Sequence, residues 1–423
     1  MNILMMTNTY LPHVGGVANS VSLYTSELRK LGHHVMVVSP RFEGDLQDEK
    51  DVIRIPAIQH FNGSDFSVIL PIPGFLDAHL KDFKPDIVHS HHPFFVGGIA
   101  VRIATKYNVP LVFTQHTRYE HYAHYAGYIP RMKQFLINLS TGYANMCDVV
   151  IAPSESFAQI LKDRGVTVPI EVIATGVNIE KFRIGDGRKI RKQLNIPEYA
   201  FVAGFTGRLE QEKNLEFLSK AVAMFLHQNS KAHFLVVGYG AVEESLKEIF
   251  YVEGLRDRVH FAGKLTGNDL IDAYHSMDVF VFSSKTETQG MVLAEAMAAG
   301  VPVIAIDAAG VREVVKDGFN GHLITNENIE YFAWVLSETS HLPQEKLINF
   351  RQAAIETADN FKVSNCISKI TSVYQQVIQN TTPQLVRDES AWKTAIEQIK
   401  AEWNLLANFT SAVGEALYKD NTR

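Results

Sequence analysis

Thr286-Glu287-Thr288-Gln289-Gly290-Met291-Val292-Leu293-Ala294-Glu295-Ala296-Met297-Ala298-Ala299-Gly300 is the stretch from which the fold is read. Just before it, Val279-Phe280-Val281-Phe282 is an unbroken apolar run, and just after it Val301-Pro302-Val303-Ile304-Ala305-Ile306 is another. Short apolar runs of this kind read as strands buried on both faces. The small residues between them read as a helix, so the unit is strand, loop, helix, strand.

Two carboxylates stand in it eight positions apart, Glu287 on the loop and Glu295 about two helical turns further on. Both can project to one cleft. Gly290 lets the backbone approach a ligand closely. The helix that follows opens with Met291 and Val292, and the first amides of a helix are unpaired and suit a phosphate. Carboxylates accept hydrogen bonds from paired hydroxyls, so one for a sugar and one for a ribose, beside an anion-binding helix start, suit a sugar nucleotide. By spacing alone the same residues also describe an ordinary surface loop before an alanine-rich packing helix.

The segment is similar to the E-x7-E signature of the retaining glycosyltransferases of family 4. That resemblance implies the α/β fold called GT-B: two Rossmann-like domains facing a central cleft, with C-terminal helices crossing back to the first domain. It also implies that Glu287 contacts the transferred sugar and that Glu295 holds the ribose hydroxyls of the donor.

Length and composition agree with two domains. The chain has 423 residues, of which 46% are hydrophobic, enough for two separate cores. Its net charge of −6 gives nucleic-acid binding no global electrostatic support. The two cysteines, Cys147 and Cys366, fall in different halves, which argues against a disulfide framework and for a reducing compartment. No apolar run approaches bilayer-spanning length, and Met1 to Leu11 reads as a first strand with no basic leader. The expected location is cytoplasmic, at most peripheral on the inner face of the membrane.

From the N-terminus, Asn2 to Thr7 is a short apolar strand followed by a Gly15-Gly16 turn and a helical stretch from Val17 to Leu31. Strand, glycine turn and helix suit an anion site, and by themselves describe a tight turn before a helix as well. The glycines are adjacent, so this is not the G-x-G-x-x-G dinucleotide fingerprint, and a nicotinamide dehydrogenase is disfavoured. In family 4 such a loop lies against the donor phosphates, which implicates Gly16. Further strands are read at His33–Val38, Asp86–His91 and Leu111–Thr114, with Cys147–Ser154 closing the first sheet. His89, His91 and His92 lack a local carboxylate or cysteine that would complete a zinc site, and read as residues lining a cleft.

The stretch Gln115 to Tyr125 resembles the corresponding loop of bacterial diacylglycerol glycosyltransferases. The resemblance implies that His116 faces the donor sugar and the reacting centre, and that Tyr119 and Tyr122 line the acceptor side. Pro130 to Met146 is helical, with a basic start and apolar bulk. It can pack on the sheet or lie on an anionic membrane.

Thr175-Gly176-Val177-Asn178 marks the passage between domains and is similar to a family segment that ends in Asp. The swap to Asn178 removes a charge, so no binding role is assigned to it. In the second half, Arg208 and Lys213 match the family pattern G-R-x-x-x-x-K. A guanidinium fork and an ammonium together suit a pyrophosphate, and the resemblance assigns both to the donor. The edge around His260–Leu265 corresponds to the family's base-binding segment. Beyond Gly321 the chain reads as helical to about Gln379. The region after it keeps apolar residues at helical spacing from Trp392 to Leu417, with near-balanced charge. That tail reads as an amphipathic helix for packing on the enzyme or on a second copy.

The domain layout read from these features is 1–175 for the acceptor side, 176–198 for the linker and 199–360 for the donor side. Residues 361–380 form the returning helix and 381–423 the tail. The leading function is hexose transfer from UDP-glucose to a lipid such as diacylglycerol, with no metal or other cofactor. No D-x-D element is present to hold a divalent ion on a diphosphate. GDP-mannose as donor, with a soluble or polysaccharide-precursor acceptor, is the alternative. A non-catalytic sugar-nucleotide sensor is more remote, because Glu287 and His116 are intact.

Overall fold

The structure is a computed structural model and describes residues 1–13, 15–42, 49–58, 67–69, 75–120 and 130–380. Strands β1 (Asn2–Met6), β2 (His34–Pro40) and β3 (Val52–Ile55) open the chain, followed by the two-residue pair β4 (Ala57–Ile58) and β5 (Val68–Ile69). Then come β6 (Ile87–Ser90), β7 (Leu111–Thr114), β8 (Val149–Ala152) and β9 (Ile170–Val172). These build a parallel sheet in the order β3-β2-β1-β6-β7-β8-β9, with β4 and β5 forming a separate antiparallel pair. A second parallel sheet contains β10 (Phe201–Thr206), β11 (Ala232–Val237), β12 (Val259–Gly263), β13 (Val279–Phe282), β14 (Val303–Ile306) and β15 (Gly321–Ile324), in the order β12-β11-β10-β13-β14-β15.

The central strands are the apolar runs of the sequence. Every residue of β6, β7, β8, β13 and β14 is buried, as parallel strands covered on both faces must be. Helices Gly16–Lys30 and Val363–Asn380 cover one face of the first sheet through Val21, Tyr24, Leu28, Ile367, Ile370 and Tyr374. Helix Val96–Tyr107 lies on the other face. The C-terminal helix therefore crosses back to the first domain.

Two sequence expectations need correction and one strand goes unforeseen, all at sheet edges. Residues 147–154 do not close the first sheet, because β9 pairs outside β8. The strand β3 was not read from the sequence at all. The segment after Gly321 is the edge strand β15 before it is helical. Edge strands are short and carry polar residues or glycine, as in Ile170-Glu171-Val172 and Gly321-His322-Leu323-Ile324, so the unbroken apolar signal of a central strand fades there.

Helix Pro130–Ala144 buries Leu139, Tyr143 and Ala144 against the first domain. No helix among the described residues is long and apolar enough to cross a membrane. At the passage between domains, Val177 N–H donates to Phe361 O at 2.7 Å. A Cβ on Gly176 would lie 2.4 Å from Val363 Cα, so only glycine allows the two segments to cross there. Asn178 caps the helix Ile179–Phe182 by accepting from Lys181 N–H, a structural use for the residue that replaces the family Asp. The amphipathic tail expected over 381–423 lies outside the described residues.

Candidate functional site

Each sheet has one point where strand order reverses, between β1 and β6 in the first and between β10 and β13 in the second. Open parallel sheets bind ligands outside the carboxyl ends of strands at such points. The residues singled out from the sequence fall there. Gly16 opens the helix after β1, Arg208 follows β10, and the Glu287 loop follows β13. His116 lies two positions past the end of the neighbouring strand β7.

On the second domain, Ser283 at the end of β13 donates to the carbonyls of Lys213 and Asn214, both at 2.9 Å. This bond fastens the loop after β10 to the loop after β13. Lys213 Nζ then reaches Glu287 Oε1 at 2.5 Å, and both side chains are largely shielded from water. Burial pushes the Glu287 carboxyl up, but the Lys213 ammonium, a hydrogen bond from Ser284 and the charge of Arg208 together outweigh it. The group sits below its ordinary value and is ionised. Arg208 pairs with Glu212 at 2.9 Å and remains partly exposed.

Gly290 has φ +74, in the left-handed region, and precedes the helix Met291–Ala298. A Cβ there would also press on Leu293 Cδ1 at 2.8 Å, but it is the left-handed backbone that calls for glycine at the turn starting this helix. Neither Gly290 nor Gly15 offers a side-chain cap to its helix. The amides of Met291 and Val292, like those at Gly16, are therefore left for an anion. The two helix starts are tied together. Ser20, one turn beyond Gly16, bonds the Thr175 hydroxyl at 3.1 Å. The Gln289 amide accepts from Thr175 N–H and donates to Thr175 O, both at 2.6 Å.

Glu295 lies on the same helix and accepts from the Tyr274 hydroxyl at 2.8 Å. Burial pushes its carboxyl from 4.5 up to about 7, and the tyrosine bond opposes this only in part. The two glutamates of the signature thus have opposite environments, one held ionised by a lysine and one poised to titrate near neutrality.

His116 faces this loop from the first domain. Its backbone carbonyl accepts from the Thr288 hydroxyl at 2.8 Å, and Ser154 donates to Thr288 O at 2.6 Å. Its ring Nε2 lies 2.9 Å from His91 Nδ1, with the rings stacked at 5.2 Å. His91 packs against His89 with centroids 4.1 Å apart and the rings tilted by 34°, and His89 bonds Tyr374 at 2.5 Å and Thr114 at 2.7 Å. His92 Nδ1 accepts from Asn8 N–H at 3.1 Å. Burial pushes His89, His92 and His116 down to about 3, and His91 well below its ordinary value, so the group is neutral. Among the described residues no set of three or more His, Cys, Asp or Glu is arranged to hold a metal ion. Tyr119 packs edge-on against Phe94 at 4.8 Å, whereas Tyr122 lies outside the described residues.

Sequence reading missed Gln289, Thr175, Ser154, Tyr274 and Ser283. Gln289 stands inside the motif, but its partner is 114 residues away, and nothing local indicates which way an amide side chain turns. A recess of about 720 Å³ at the amino ends of β10 and β13 is lined by Arg191, Tyr199, Asp278 and Arg351. It lies at the far end of the second sheet. Asp278 takes Arg191 and Arg351 there, each at 2.9 Å, so the charges already have partners.

Comparison with known proteins agrees with this geometry. Residues 14–181 match the family model described as Glycosyltransferase Family 4, and residues 186–359 match Glycosyl transferases group 1. An alpha-monoglucosyldiacylglycerol synthase of Streptococcus pneumoniae is 31% identical over 346 residues, covering 78% of this chain and 76% of its own. A GDP-mannose-dependent alpha-mannosyltransferase of Corynebacterium glutamicum is 28% identical, with 81% and 82% covered. Among solved structures, HepE of Anabaena in complex with UDP and glucose superposes with a TM-score of 0.71 at 21% identity, over 88% of this chain and 99% of that one. With both halves matched in order, two Rossmann-like sheets facing one cleft and the paired glutamates at the second switch point, the chain belongs to the family 4 glycosyltransferases of GT-B fold.

Proposed function

We propose that the protein transfers glucose from UDP-glucose to a diacylglycerol-type lipid, with retention of anomeric configuration and without a metal ion. The observation that carries the reading is the Lys213–Glu287 pair at 2.5 Å, set beside the uncapped helix start at Gly290. A nucleoside diphosphate leaving the anomeric carbon gains negative charge. Lys213, Arg208 and the helix amides supply preorganised positive charge where it develops, usually the largest contribution to such a reaction. Glu287, held ionised, accepts hydrogen bonds from sugar hydroxyls, and Glu295 accepts from the ribose. His116 meets the sugar from the acceptor side, beside Tyr119. Acceptor attack occurs on the face the diphosphate leaves, with a departing phosphate oxygen taking the acceptor proton.

The choice of lipid rests on the likeness to the pneumococcal diacylglycerol enzyme. The mannosyltransferase relative supports a second reading, GDP-mannose with another acceptor. Labelled UDP-glucose and GDP-mannose, each incubated with diacylglycerol liposomes and without acceptor, distinguish them. Label from UDP-glucose in the lipid is the expected result. Hydrolysis without lipid product removes the lipid, and turnover of GDP-mannose alone removes the donor. In the same assay Lys213→Ala should lose roughly 100- to 1,000-fold in kcat, as expected for one lost electrostatic donor, and EDTA should change nothing.

A further inference from the structure

The two ring nitrogens of His91 meet different neighbours. Nε2 lies 3.3 Å from Met5 Sδ, and Nδ1 lies 2.9 Å from His116 Nε2. A thioether sulfur can only accept a hydrogen bond, so the first contact requires the hydrogen on His91 Nε2. A neutral imidazole carries one N–H. A second proton would place a charge in a fully buried ring packed against the neutral His89. His91 Nδ1 is therefore bare and accepts, and the hydrogen in the bond between the two histidines belongs to His116. With Nε2 of His116 protonated, its Nδ1 is an acceptor, and that nitrogen has no hydrogen bond among the described residues.

We propose that His91, itself set by Met5, is a positioning residue that holds His116 as the Nε2–H tautomer, leaving His116 with an acceptor nitrogen for a hydroxyl of the donor sugar. The catalytic consequence rests on the reading of His116 given above; the tautomer does not. Such a nitrogen accepts from a hydroxyl and offers nothing to a phosphate or carboxylate oxygen, so it selects a sugar carrying a hydroxyl at the position it meets. The device is rigid. Met5 and His91 are fully buried, and His89, packed behind His91, is clamped at both nitrogens by Tyr374 and Thr114.

The test is a long-range proton–nitrogen correlation spectrum of histidine-labelled full-length protein, with the His116 signals assigned by their loss in His116→Gln. In wild type, Nε2 of His116 should be the protonated nitrogen. His91→Phe should release the ring to a mixture of tautomers and lower kcat roughly 10- to 100-fold, as for a misoriented group, with donor KM little changed. His91→Asn, whose amide oxygen can replace Nδ1, should restore both tautomer and turnover. Met5→Leu, almost isosteric, should loosen the tautomer even if His91→Phe fails to fold. An Nδ1–H His116 in wild type, or a tautomer indifferent to both changes, overturns the proposal. If the tautomer follows His91 while transfer ignores His91 and His116 alike, the lock stands and the placing of His116 at the reacting centre falls.

Discussion

At the scale of single residues, Glu287 and Glu295 show how one side-chain type serves two purposes. Both are shielded, but only Glu287 has a cation against it, and their pH dependence takes opposite signs. The folded-state value of Glu287 is depressed, so its contribution to stability is present above the unfolded value and is lost as the pH falls through the folded one. Glu295 is raised from 4.5 to about 7. Below pH 4.5 it is protonated in both states and contributes no slope. Between 4.5 and 7 the folded protein keeps a proton that the unfolded chain releases, so stability falls as pH rises, by on the order of 3 kcal/mol, and then levels off. Glu295→Gln should remove that decline in denaturant titrations run across this window. On the function proposed above a ribose donates to Glu295 and favours the ionised form, so nucleotide affinity in the wild type should rise as pH passes 7, and in the variant it should not. A stability curve indifferent to the substitution would show that Glu295 titrates normally. The spacing of these carboxylates is legible in the sequence, whereas the sign of each shift is not, because it depends on Lys213 and Tyr274 arriving from other loops.

At the scale of elements, the loop 285–290 is held from both domains at once. Arg118 donates to Lys285 O at 3.3 Å, Thr288 and Ser154 bond across the cleft, and Gln289 takes both backbone groups of Thr175. Gln289 is buried, so Gln289→Ala leaves an N–H and a C=O without partners and should cost about 2–4 kcal/mol. The loss should appear in chemical denaturation, with faster hydrogen exchange at the Thr175 amide as its local signature. Unchanged exchange at Thr175 would mean that water replaces the amide and that the clamp contributes little. The strand-loop-helix order that carries this loop could be read from Val279–Phe282, the glycine and the alanine-rich run, because those signals are local. The clamp could not, and neither could β3, β9 and β15, whose three- or four-residue sequences, each interrupted by a charged residue, a histidine or a glycine, form strands because a sheet edge is there to receive them.

At the scale of the molecule, the two domains depend unequally on the end of the described chain. The core of the second domain draws on residues from Val177 to Phe361 and none from the last helix. The first domain, whose strands end at Val172, borrows Cys366, Ile367, Ile370, Val373 and Tyr374 from helix Val363–Asn380 to cover one face of its sheet. Five buried side chains at roughly 1.5–3 kcal/mol each are worth on the order of 10 kcal/mol, comparable with the 5–15 kcal/mol that is the whole net stability of a typical domain. Loss of Tyr374 also leaves the buried His89 without one of its two partners. A chain ending at Lys362 should therefore keep a cooperative calorimetric transition for the second domain and lose that of the first, and limited proteolysis should leave a resistant fragment beginning near Val177. Two transitions with unchanged midpoints would show that the first domain closes its own core. Because Arg208, Lys213 and Gly290, the groups proposed above to meet the donor phosphates, all sit on the surviving domain, the shortened chain should still bind UDP, more weakly for want of the Gly16 helix, while transferring no sugar. Binding lost together with the first domain would mean that the donor site is assembled from both halves rather than carried by one.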